Sequence, residues 1–290
     1  MTKTVDEGFR VFHSRLTPNS GETEAAKNHR ASIESCLKTN FEITRFFRSG
    51  SFGNGTSISG YSDVDYFASI PTKNLKRDSS LTLRQVRDTL NTRFPNTGVH
   101  VDTPAVVVPF GEGAEETTEV IPADLVDVTD QDFLIYEIAD GSGGWMRTSP
   151  DAHNAYVANV HSEHNNKVKP LVRFLKAWKY YRDVPISSFY LEMWIARYAL
   201  GEESILYSID IERIFYSLAN SNLAAMQDPT GISGFIYPCA TEAKKTDALS
   251  KLNTALTRAQ KARESEVAGK TAEAFYWWDL VFAYRFPSYG

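Results

Sequence analysis

Apolar residues fall at helical spacing through Ala26, Ile33, Leu37 and Phe41, with few breakers between Glu22 and Phe47. This predicts a long helix running into a short strand. The Gly- and Ser-rich stretch from Ser49 to Ser62 reads as a loop or turn. After it, Val64-Asp65-Tyr66-Phe67-Ala68-Ser69-Ile70 reads as a strand closed by Pro71, and Leu81 to Phe94 returns to helical periodicity. Ala105 to Phe110 and Thr117 to Ile121 read as two further strands, joined by a hairpin-like connection at Gly111-Glu112-Gly113. Beyond the loose Gly141-Ser142-Gly143-Gly144 the pattern becomes helical. Val168, Leu171, Val172, Leu175 and Trp178 share one helix face, and Phe189–Leu200, Ile205–Asn220, Thr241–Ala268 and Thr271–Tyr284 read as further helices. The order is helix, small mixed sheet, helical bundle. It predicts an α+β chain with a core over residues 1–149 and a helical lobe over residues 150–290, and a ligand cleft between them.

The chain has 290 residues, 42% of them hydrophobic and 12% aromatic, enough to bury a full core without a low-complexity tract. No run of about 18 apolar residues occurs and the first residues lack an apolar stretch, so neither a membrane span nor export is expected and a cytoplasmic location is. Cys36 and Cys239 are the only cysteines, which excludes a disulfide framework or a Cys-rich zinc ribbon. The formal net charge of −5 argues against a dedicated surface for long DNA, whose binding is driven by Lys and Arg at the phosphates. A local cationic pocket for triphosphates needs only two or three well-placed side chains and remains open.

The candidate chemistry is concentrated in Gly50-Ser51-Phe52-Gly53-Asn54-Gly55-Thr56-Ser57-Ile58-Ser59-Gly60-Tyr61-Ser62-Asp63-Val64-Asp65. Its glycines permit close backbone approach, so N–H groups and the Ser51 hydroxyl can meet phosphate oxygens, and the absence of a Gly-Lys-Ser/Thr ending separates it from the Walker A loop. Alone, such a turn also fits a flexible loop. Asp63 and Asp65 stand two apart in a strand and project to one side, where two like charges are unfavourable unless a cation such as Mg²⁺ sits between them. Alone, Asp-x-Asp also fits an exposed strand entry. His153, His161 and His164 lack Cys or acid ligands at metal spacing, and surface or packing roles are expected for them.

Together, the Gly-Ser turn and the Asp-Val-Asp opening an apolar strand resemble the signature of the polymerase-β nucleotidyltransferase superfamily. More closely, GSFGNGTSISGYSDVDYF is similar to the CD-NTases, the bacterial relatives of cyclic GMP–AMP synthase and oligoadenylate synthase. The resemblance spans nearly the whole chain. Glu119-Val120-Ile121-Pro122-Ala123 resembles the family's third-carboxylate strand, Leu175-Lys176-Ala177-Trp178 its Leu-Lys-x-Trp helix, Ser187-Ser188-Phe189-Tyr190-Leu191-Glu192 its Ser-aromatic-Leu-Glu segment, and Phe275 to Pro287 its closing segment.

The resemblance implies a polymerase-β-like core, a C-terminal helical lobe and an active site in the cleft. It also implies metal-dependent joining of nucleoside triphosphates into a cyclic oligonucleotide signal for antiphage defence. Asp63, Asp65 and Glu119 would be the catalytic metal ligands for Mg²⁺ or Mn²⁺; Gly50, Ser51, Lys176 and Ser188 would hold the nucleotide. The family's third ligand is frequently Asp, so Glu119 is a departure. Asp124 and Asp102 are its rivals, and Glu119 is preferred because it shares a strand face with Thr117 and Ile121. For Lys176 a snorkelling surface role stays open, and for Ser188 a helix N-cap. Lys169 and Arg173 are further cationic candidates. A regulatory protein partner and a separate effector for the product are expected, and no membrane. The alternative is a nucleotidyltransferase acting on RNA ends, a small molecule or a protein hydroxyl.

Overall fold

The computed structural model describes residues 4–18, 24–60, 64–111 and 116–290, with the side chains of Phe52 and Glu116 excepted. Asp63 therefore lies outside the described residues, as does most of the Gly111–Gly113 connection. The chain opens with a helix, α1 (Val5–Leu16), started by a capping box in which the Thr4 hydroxyl accepts from Glu7 N at 3.2 Å and the Glu7 carboxylate accepts from Thr4 N at 2.7 Å. The expected long helix follows as α2 (Glu24–Phe41), then a short strand, β1 (Arg45–Arg48), and one helical turn, α3 (Gly50–Gly53), inside the Gly-Ser stretch.

The sheet continues with β2 (Val64–Ser69). After α4 (Ser79–Arg93) come β3 (His100–Asp102), β4 (Ala105–Phe110), β5 (Glu116–Val128), β6 (Leu134–Ala139) and β7 (Trp145–Thr148). The strand order is β1-β2-β5-β4-β3; β2 and β5 run parallel, and the other pairs are antiparallel. The long β5 serves twice: its first half lies between β2 and β4, and from Asp124 onward it pairs with β6, which carries β7. Side chains alternate between faces along a strand, so the two faces bury different sets. On one, Ala68, Val106, Val108 and Val120 pack against Ile33, Leu37 and Phe41 of α2 and Leu83, Val86 and Leu90 of α4. The other buries only a small cluster, including Phe67, Ile121, Ala123 and Tyr136, and toward the start of β2 it passes into Asp65 and Glu119.

The second half is helical: α5 (Pro150–Glu163), α6 (Val168–Tyr181), α7 (Ser188–Ala199), α8 (Tyr207–Asn220), a small hairpin of β8 (Met226–Gln227) and β9 (Phe235–Ile236), α9 (Glu242–Val267) and α10 (Thr271–Val281). Its core is aromatic, and α1 supplies part of it. The Phe9 ring lies 5.1 Å from those of Phe174 and Trp278 and 5.0 Å from that of Phe286, contacts that contribute roughly 0.5–1.5 kcal/mol each beyond area burial. The first helix thus packs into the helical core and not onto the sheet it precedes. Among the described residues no helix is long and apolar enough to cross a membrane.

Candidate active site

Gly50 follows β1 at φ +56°, a left-handed conformation that L side chains rarely adopt. The turn it opens is closed by Gly53 N donating to Ser49 O at 3.1 Å and Asn54 N to Gly50 O at 3.0 Å. Thr56 N then folds back onto Ser51 O at 2.8 Å, and Ser49 N is tied to Asp65 O at 2.9 Å, so the turn and β2 are one unit. A methyl group on Gly50 would stand 1.8 Å from Asp65 Oδ2. The position is glycine because a carboxylate oxygen occupies the space of a side chain.

Asp65 is registered directly opposite Glu119 on the neighbouring parallel strand. Adjacent strands lie about 4.7–4.9 Å apart, so the two acids project side by side from the same face. Their hard oxygen donors, half-buried beside a turn that leaves room for one carboxylate, fit a divalent cation of the Mg²⁺ type. Asp124 falls on the opposite face by strand parity; its Oδ1 accepts from Thr72 Oγ1 at 2.9 Å, and burial pushes its carboxyl above the ordinary range. Asp102 sits at the end of the edge strand β3, exposed. The structure brings Asp65 and Glu119 together and leaves both rivals elsewhere.

The helical lobe meets the Gly-Ser loop through α6 and α7. Lys176 is 1% exposed, which removes the surface-lysine reading; its Nζ lies 3.4 Å from Thr56 Oγ1 and 3.7 Å from Glu192 Oε2. Burial lowers its pKa, and the carboxylates of Glu192 and then Asp65 pull it back up. One turn earlier, Arg173 clamps the loop from below, donating from Nε to Ser57 O at 3.1 Å and from Nη2 to Gly55 O at 2.9 Å. Its Nη1 lies 2.9 Å from His13 Nε2, and burial followed by this guanidinium lowers the His13 pKa. His161 Nδ1 accepts from Lys169 N at 3.1 Å; burial, then the charges of Lys169, Arg173 and His13, push that imidazole down to about 4.

Ser188 does not cap α7. Ser187 does, accepting from Tyr190 N at 3.2 Å, which frees the Ser188 hydroxyl to accept from Lys179 Nζ at 2.6 Å beside the Tyr180 hydroxyl at 3.3 Å. Lys176 and Glu192 form one polar rung between α6 and α7, and Lys179 and Ser188 form the next. His153, on α5, is bonded to the buried Asp228 at 3.1 Å and packs edge-on against Phe189 at 4.9 Å, so it serves packing. Lys176 and Ser188 stand out in the sequence as site candidates, whereas Asn54, Thr56 and Glu192, which join the lobes, appear there only within the family-like segments and without a role; the further signal was Glu192 four residues after Ser188, on the same helix face.

A mixed sheet with adjoining carboxylates, a glycine-serine turn over them and a cation-bearing helical lobe define the polymerase-β-like nucleotidyltransferase fold. The family model of the Second Messenger Oligonucleotide or Dinucleotide Synthetase domain matches residues 3–160, more than half of the chain. The chain belongs to this family, the CD-NTases. It is 25% identical over 175 residues to a probable cyclic nucleotide synthase of Bacillus cereus (strain VD146), a match covering 59% of this chain and about half, 52%, of that protein. Its fold is similar to that of Vibrio cholerae DncV cyclic AMP-GMP synthase in complex with the linear intermediate 5′ pppA(3′,5′)pG, with a TM-score of 0.76, 14% identity and coverage of 99% and 97% of the two chains. It is similar also to E. coli MS115-1 CdnC in its complex with HORMA-deltaN, with a TM-score of 0.73, 17% identity and 98% coverage of each chain.

Proposed function

We propose that this protein is a Mg²⁺-dependent nucleotidyltransferase that condenses nucleoside triphosphates into a cyclic di- or oligonucleotide second messenger, releasing pyrophosphate, as part of antiphage signalling. The observation that carries the reading is the pairing of Asp65 with Glu119 beneath the Gly50 turn, in a chain of this family. In the reaction a ribose hydroxyl oxygen bonds to the α-phosphorus of a second triphosphate, the hydroxyl proton is lost, and the bond to the bridging oxygen breaks so that pyrophosphate leaves.

Asp65 and Glu119, with Asp63 preceding them in the sequence, would hold the metal. When bound, Mg²⁺ supplies activation of the attacking hydroxyl and charge neutralisation at the leaving oxygen. The chain's own share is positioning. Gly50 and Ser51 present backbone N–H groups and a hydroxyl, because the first amides of a helical turn have no partner within it. Lys176 places a cation toward the triphosphate, where the leaving pyrophosphate gathers charge, and Ser188, already accepting from Lys179, brings a second cation to the same row. A linear product would rebind in reverse for the closing step.

CdnC is seen in complex with a HORMA protein, and a regulatory protein partner is part of this proposal, as is a separate effector for the product. Incubating the purified chain with mixed ribonucleoside triphosphates and Mg²⁺, without template, and taking product masses tests the reading. Masses of cyclic di- or trinucleotides are expected. Adducts of an RNA end, small molecule or protein alone would return the chain to the alternative transferase class.

A further inference from the structure

Glu192 sits on the second turn of α7, 6% exposed, and belongs to none of the groups assigned above to metal or nucleotide. Three partners converge on its carboxylate. Asn54 Nδ2 donates to Oε1, Thr56 Oγ1 donates to Oε2 at 2.9 Å, and Lys176 Nζ lies 3.7 Å from Oε2. Asn54 and Thr56 stand 138 and 136 residues away in the chain, in the sheet-bearing half, and their backbones bond directly to Gly50 and Ser51. Glu192 is thus one bond removed from the phosphate turn on one side and from the Lys176 ammonium on the other.

A buried carboxylate beside a triphosphate site is unfavourable twice over, because it is desolvated and because it repels the substrate. The unpaired amine left by its removal would be worse, since Lys176 is almost wholly out of water. We propose that Glu192 is a positioning residue for nucleotidyl transfer: it fixes the Gly-Ser turn of one lobe and the Lys176 ammonium of the other in a single geometry, without touching the substrate. This rests on the functional reading above. The substitution Glu192→Gln removes the charge, takes from Lys176 the carboxylate it pairs with at 3.7 Å and presents an amide donor to a donor.

Binding of α,β-methylene-ATP, a triphosphate that cannot be turned over, measured by calorimetry on the full chain, separates positioning from simple stapling. Glu192→Gln is expected to weaken the analogue at least tenfold. Lys176→Met, severe in the wild-type background, is expected to add little in Glu192→Gln, because residues that act as a unit are not additive. Thr56→Val breaks the same clamp from the loop side without exposing a buried charge, and should also weaken the analogue about tenfold; it keeps the test available if Glu192→Gln does not fold. Wild-type affinity in Thr56→Val and in a folded Glu192→Gln, with only melting temperatures lowered, would make Glu192 a structural staple and overturn the inference. Additive losses in the double variant would overturn it too. A wild-type chain that binds no triphosphate refutes the functional reading itself, a distinct outcome that takes the inference with it.

Discussion

Replacing Gly50 by Ala tests the link between the turn and the acids proposed to hold the metal. Two penalties arise. The backbone stands at φ +56°, and a side chain in the left-handed region costs roughly 1–2 kcal/mol. The new methyl would also lie 1.8 Å from Asp65 Oδ2 and 2.7 Å from its Cγ. The Asp65 carboxylate is the mobile end of that contact, so it swings away by about 1.6 Å to reach ordinary van der Waals separation, and a misplacement of about 1 Å at a reacting centre can lower a rate by ~10². The fold should survive with a melting temperature lower by roughly 2–6 °C, while turnover falls a hundredfold or more. Gly98→Ala is the matched control: its φ is +77°, and an added methyl meets nothing within 4 Å among the described residues. Differential scanning fluorimetry and pyrophosphate release on both variants give the comparison. Similar melting shifts with activity lost only in Gly50→Ala are expected. Equal turnover in the two would show that the contact between Gly50 and Asp65 has no catalytic consequence.

Glu119→Gln should abolish most turnover, whereas Asp124→Asn and Asp102→Asn should stay near wild type; an inactive but folded Asp124→Asn would place the third ligand on the wrong strand face. Lys176→Met, which keeps the buried stem, should raise the Michaelis constant for triphosphate tens-fold or more, since charge-assisted contacts contribute roughly 1.5–3 kcal/mol; unchanged kinetics would limit Lys176 to a counterion of Glu192. Acid should destabilise the fold through His161. Its folded pKa of about 4 lies below the ordinary 6.5 of the unfolded chain, so the unfolded state binds more protons between these values and stability falls as pH drops through that window. The melting temperature should fall from about pH 7 to about pH 5 less steeply in His161→Gln than in wild type, because protonation of Nδ1 displaces its bond from Lys169 N; identical slopes would count against the assignment.

What the sequence makes legible is local. Asp65 reads from the chain because Asp-Val-Asp opens an apolar strand, and Glu119 because it shares a strand face with Thr117 and Ile121. The register that sets Asp65 opposite Glu119 is not local, since it depends on parallel pairing across a connection that includes α4, β3 and β4. The α1 helix carries its own signal, the Thr4-x-x-Glu7 box followed by Phe9, Phe12 and Leu16 at helical spacing, with no unbroken apolar run. Its place in the helical core is tertiary and follows from aromatic complementarity with Phe174, Trp278 and Phe286. The strand β7 is short and half exposed, and β6, four of whose six residues are buried, lacks the clean alternation that marks a one-sided strand. Glu192 closes a family-like segment in the sequence but carries no role there until the fold brings Asn54 and Thr56 onto it.

The central claim is tested most directly by supplying the purified chain with α-³²P-labelled ribonucleoside triphosphates and Mg²⁺, treating the mixture with phosphatase, and separating the products. A ring has no terminal phosphate to lose, so the account predicts a labelled product that survives phosphatase, requires no template, and disappears in the double variant Asp63→Asn with Asp65→Asn. Label recovered only in phosphatase-sensitive linear products would contradict the cyclic signal. Full product formation by the double variant would contradict the assignment of those acids to the metal.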